Sequence, residues 1–138
     1  MSYMKIAVLF LSLILGQNSV CYDINENYDI HQPGLGSFTS HIQVLDCVDI
    51  YAESLISDSK ILHVAAVVSE LLDNNEDGIV DDPLIMESLQ NLNAMIPIFN
   101  SEWASSQDDV YDNYSGCLGA ALYRNEINPN HPGHWGID

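Results

Sequence analysis

Residues 73–83 read DNNEDGIVDDP, and no other stretch limits the fold as sharply. Four Asp, one Glu and two Asn fall on ten consecutive positions, in a chain with only three basic residues. Like charges crowded this closely cannot enter an apolar interior unpaired. The segment must therefore face water or gather around a cation, and it must lie between two separate elements. On one side runs ILHVAAVVSELL (61–72), apolar at three- and four-residue steps. On the other, Asp82 followed by Pro83 is a helix start: a capping side chain, then a proline whose missing N–H costs nothing at the first helical position.

The remaining periodicity points to a mainly α-helical domain. Val44, Leu45, Val48, Tyr51, Leu55 and Ile56 mark one face of a first helix, with Ser40 and Gln43 spaced as a capping box. SDSK (57–60) breaks it. The second helix carries Leu62, Ala65, Val68, Leu71 and Leu72 on one side, and its His63 reads as a core residue rather than a ligand. The third, from Pro83, turns Leu84, Ile85, Leu89, Leu92 and Met95 inward, and Pro97 ends it. IPIF (96–99) is a short strand or an extended packing segment, residues 100–116 a surface loop, and CLGAALY (117–123) a short helix or strand. The ends, 22–38 and 124–138, are irregular and rich in turn residues.

Residues 1–21 have a different character. One Lys, an apolar run of 11 residues and a small polar stretch have the layout of a secretory signal peptide, cut after Cys21 and too short to span a bilayer. That leaves one acidic domain, 22–138, and places it outside the cell. Its cysteines, Cys47 and Cys117, would form a single disulfide in that compartment, and Asn113-Tyr114-Ser115 would accept a glycan. The whole chain carries a net charge of −17, and loss of Lys5 with the leader leaves 2 basic against 20 acidic residues, or −18. Nucleic acid and anionic membranes are repelled by such a chain, whereas cations, mineral surfaces and basic extracellular proteins suit it.

The spacing within 73–84 then gains meaning. Asp73, Asn75 and Asp77 occupy loop positions 1, 3 and 5, Gly78 the sharp turn at 6, Ile79 the backbone-carbonyl position 7, and Asp81 position 9. In these positions the loop resembles the EF-hand, a helix–loop–helix that wraps Ca2+ in oxygen atoms. The resemblance implies a metal set of Asp73, Asn75, Asp77, Ile79 and Asp81. It departs at position 12, where Leu84 replaces a bidentate Glu; Asp82 or Glu87 is left to stand in. A site lacking that ligand binds weakly, which an extracellular module tolerates at dissociation constants of about 0.1–1 mM.

Other constellations carry less chemistry. His131 and His134 make an H-x-x-H pair without the Glu of a zinc protease, and no nucleophile signature occurs, so no catalytic residue is assigned. The run HVAAVVSELLDNNEDGIVDDP is similar to segments of uncharacterised extracellular proteins that continue beyond the equivalent of WGID. That resemblance implies a shortened relative of a longer protein, a degenerate hydrolase being one form, with a pocket near His131, His134 and Trp135. The reading that best uses the residues is a secreted, mainly helical protein with one structural Ca2+ in an interaction or matrix role. A mineral- or matrix-associated protein binding Ca2+ diffusely over many carboxylates is the alternative.

Overall fold

Residues 38–53, FTSHIQVLDCVDIYAE, fold back on themselves instead of forming the expected first helix. In the computed structural model, which describes residues 22–25 and 32–131, Phe38–Val44 (β1) and Val48–Glu53 (β2) are an antiparallel hairpin. Leu45 and Asp46 join them with φ values of 47° and 56°. Two successive positive φ angles are the mark of a type I′ turn, whose twist matches the flanking strands. The Cys47 amide closes it on the Val44 carbonyl at 3.0 Å. The helical spacing of Val44, Val48 and Tyr51 is a coincidence across the turn: β1 buries one face and exposes Thr39 and Gln43, while β2 is buried on both. Ile42, Val44, Val48, Ile50 and Ala52 serve one apolar cluster, and Phe38 and Tyr51 serve another.

From β2 the chain runs through α1 (Asp58–Leu72), the acidic loop and α2 (Pro83–Asn91) into β3 (Met95–Phe99), which lies parallel to β2. Then α3 (Ser106–Asn113) leads to β4 (Leu122–Tyr123), parallel to β3. The sheet order is β1-β2-β3-β4. With 31% helix and 22% strand among the described residues this is an α/β fold, and the mainly α assignment is corrected.

The helices cover both faces. Ile61, Val64, Ala65 and Val68 of α1 pack with Ile42, Ile50 and Ile98 on one. On the other, Val110 of α3 joins Leu35, Phe38, Tyr51, Met95 and Phe99, where the Phe38 ring lies 5.8 Å from Tyr51 and 5.7 Å from Phe99. Strands buried on both faces read as continuous apolar runs rather than alternations, which is why MIPIF and VDIYAE gave no period-two signal. Pro97 is tolerated inside the sheet for a local reason. Met95 and Phe99 direct their backbone groups to the β4 side, through Cys117, Gly119 and Arg124. Pro97 therefore has its missing N–H on that side too, where pairing lapses between Gly119 and Leu122.

Further expectations change. α2 begins at Pro83 as read, but Asn93 ends it in the left-handed region (φ 48°), and the Ala94 amide returns to the Leu89 carbonyl at 3.0 Å. Met95 thereby leaves the helix and becomes a fully buried strand residue. Leu84, Ile85 and Leu92 are exposed, and only Met86 and Leu89 lean on the core. In α1, Leu62 and Leu71 face solvent as well, and His63 is only partly buried. The stretch 100–116 holds α3, with Gln107 and Val110 buried. Cys47 and Cys117 are free thiols, the first buried beside the hairpin turn and the second exposed before β4, so the disulfide is not formed. The leader at 1–21 and His134 with Trp135 lie outside the described residues.

Candidate metal centre

The acidic loop starts where α1 stops. Asp73 is the C-cap of α1 and is only 3% exposed, the lowest of any acidic residue in the loop. Its Oδ1 accepts the Asp77 amide at 3.2 Å and its Oδ2 the Gly78 amide at 2.7 Å. One carboxylate therefore gathers the loop's own backbone around it. Gly78 sits at φ +85°, a conformation in which a Cβ would be strained. Asn75 Oδ1 also accepts the Asp77 amide, at 3.0 Å, and Asp77 Oδ1 accepts the Ile79 amide at 2.9 Å. Each alternate polar side chain thus turns back over the loop, the behaviour expected of short Asx side chains.

The second half is anchored differently. Val80 is buried in the α1 cluster, and the Asp81 amide reaches back to the Leu72 carbonyl at 2.9 Å. This pair pins the loop's exit beside its entrance. Asp81 itself is exposed and turned to Asn74, with Oδ2 accepting the backbone amide at 2.9 Å and the side-chain amide at 3.0 Å. The side-chain amide, then the backbone one, holds the Asp81 carboxyl below its ordinary pKa of 3.8. Asp82 Oδ1 caps α2 by accepting the Leu84 amide at 2.9 Å. Glu87 is exposed on α2, and Leu84, at the twelfth loop position, is 72% exposed.

For a hard cation the fit is divided. Asp73, Asn75 and Asp77 offer side-chain oxygens in one half of the loop. A carboxylate has about four lone-pair sites, and Asp73 spends only two of them on amides. Asp81 is engaged with Asn74 through Oδ2, and Leu84 at position 12 has no side-chain oxygen to give. Among the described residues, no three His, Cys, Asp or Glu side chains stand together as a metal-holding group. A Ca2+ here would draw on Asn75 and the Ile79 carbonyl beside the carboxylates, and on water for the rest of its six to eight oxygens.

A second constellation has no signature in the sequence. Asp49 and Tyr51 of β2, Asn93 after α2, and Tyr114 and Ser115 after α3 line one small cavity. They come from three segments far apart in the chain, and only the sheet register brings them together. No helix among the described residues is long and apolar enough to cross a membrane. No family model, curated protein or solved structure matches the chain.

Proposed function

We propose that the protein is a secreted calcium-binding domain in which one Ca2+ at the 73–84 loop fastens α1 to α2. Asp73, Asn75, Asp77, the Ile79 carbonyl and Asp81 are the protein's oxygen donors, and Glu87, the one carboxylate of α2, supplies a further one. The observation that carries the reading is the buried Asp73 carboxylate, fixed by the Asp77 and Gly78 amides at the closed end of a loop otherwise rich in acid. The ion's role is structural. It offsets repulsion among Asp73, Asp77 and Asp81, and by binding only the folded state it adds stability set by its concentration over its dissociation constant. The net charge of −17 favours basic extracellular proteins or mineral surfaces as partners.

With a dissociation constant of about 0.1–1 mM, 10 mM Ca2+ adds about 1.4–2.7 kcal/mol, or roughly 5–10 °C in melting temperature for a domain of this size. Asp77→Asn with Asp81→Asn leaves each side chain the one oxygen that accepts amides in the loop but removes two charges, and the expected result is loss of the Ca2+-dependent shift. Calorimetric titration should give one saturable site. Many shallow sites would favour the diffuse mineral-binding reading, and a melting curve indifferent to Ca2+ and chelator would refute both.

A further inference from the structure

The cavity at the amino ends of β2 and β3 has a volume of about 190 Å³ and is lined chiefly by Gln32, Asp49, Tyr51, Asn93, Tyr114 and Ser115. About six waters at ~30 Å³ each would fill it, which is room for an organic molecule of a few heavy atoms and well below a drug-sized pocket.

Its walls are fixed in place. Strand alternation turns Asp49 and Tyr51 away from Val48, Ile50 and Ala52, and so away from the α1 cluster. His41 of β1 pairs with Tyr51 in register, stacks on its ring at 4.6 Å and bonds Asp49 Oδ1 through Nε2 at 2.7 Å. Opposite, Tyr114 donates its hydroxyl to the Asn93 carbonyl at 2.7 Å. Two glycines admit that tyrosine. A Cβ on Gly116 would come within 2.5 Å of the Asn93 carbonyl oxygen and 2.6 Å of the Tyr114 ring. One on Gly34, at φ +83°, would come within 2.9 Å of the Tyr114 nitrogen.

Charge then selects the occupant. Among the described residues of the lining Asp49 is the sole charged one and no Lys or Arg occurs, and the chain's net charge of −17 repels anions. Asp49 Oδ1 is taken by His41, while Oδ2 has no hydrogen bond among the described residues. Two tyrosine rings border the same space, and aromatic rings attract cations. The geometry points to a binding site for a small organic ammonium compound, its nitrogen on Asp49 Oδ2, its carbons against Tyr51 and Tyr114, and a polar end within reach of Asn93 and Ser115.

The test is titration of the folded chain with 2-aminoethanol in the presence of chelator, which separates this site from the calcium reading. Saturable binding is expected with a dissociation constant on the order of 1 mM, with amide shifts in NMR spectra centred on Asp49, Asn93 and Ser115. Ethylene glycol, the neutral match in size, and glycolate, the anion, should bind about tenfold more weakly or worse. Asp49→Asn keeps an acceptor for His41 and should weaken 2-aminoethanol binding by at least about tenfold. Ser115→Trp, at an exposed position, should block the cavity without touching the core, and it serves if Asp49→Asn fails to fold. Absence of saturation, equal binding of ethylene glycol, or undiminished binding by the folded variants overturns the proposal.

Discussion

Glu53 closes β2 with a side chain only 6% exposed. Its Oε2 accepts the Asn100 amide at 2.7 Å, and its Oε1 accepts the Ser106 hydroxyl, so one carboxylate ties β2 to the ends of β3 and the start of α3. Replacing it by Ala would leave a part-buried amide and hydroxyl without their acceptor. The expected cost is about 3 kcal/mol, read as a lower urea midpoint with an unchanged slope. Glu53→Gln keeps the shape and one acceptor oxygen, and should lose less. The chain's local chemistry explains which residues could be read in advance. Asp82, Pro83, Gly78 and the alternate polar residues of the loop act on neighbours within a few positions, so their roles are written in short windows. Glu53, Asn100 and Ser106 meet only through the sheet, and no window contains all three. Asp49, Asn93 and Tyr114 escaped notice for the same reason.

At the level of elements, α2 is the weakest piece. None of its residues is fully buried, and it is held by Met86, Leu89 and its cap. Asp82→Ala removes the side-chain acceptor of the Leu84 amide and should cost about 1 kcal/mol. Hydrogen exchange should show that loss first as faster exchange in 84–91, before α1 responds. α1 was legible because its buried Ile61, Val64, Ala65 and Val68 keep a helical step and a charged loop bounds it. The hairpin was not. Its turn is Leu45-Asp46 where a sequence reader looks for Asn-Gly, and Leu at φ 47° gives no such hint. β2 also lies between two apolar layers and so lacks the alternation that marks a half-exposed strand, while β1 shows it only over the few residues His41–Val44.

For the whole molecule, the acidic balance and the single loop were readable, whereas the layering was not, because burial of the sheet on both faces is a property of the assembled chain. Two tyrosines report on that assembly. Tyr22 donates to Ser69, whose own hydroxyl donates to the Ala65 carbonyl, and so docks the amino-terminal arm on α1. Tyr114 caps α3. Burial, the largest cause, raises both hydroxyls above their ordinary pKa of 10.0. The unfolded chain releases these protons first, so the contribution is complete below pH 10.0 and is lost as pH rises through the raised values. Melting temperature should fall accordingly above pH 10.0, and Tyr114→Phe, with one fewer group to titrate, should fall less steeply. The parallel pairing of β2 with β3 bears on the order of assembly. Ile50 meets Ile96 only after α1, the acidic turn and α2 have doubled back, so chain closure across that span precedes any gain from the central ladder. Whatever speeds the doubling back sets the pace at which the sheet can form, and an ion gripping the bend would act as a folding nucleus as well as a clasp.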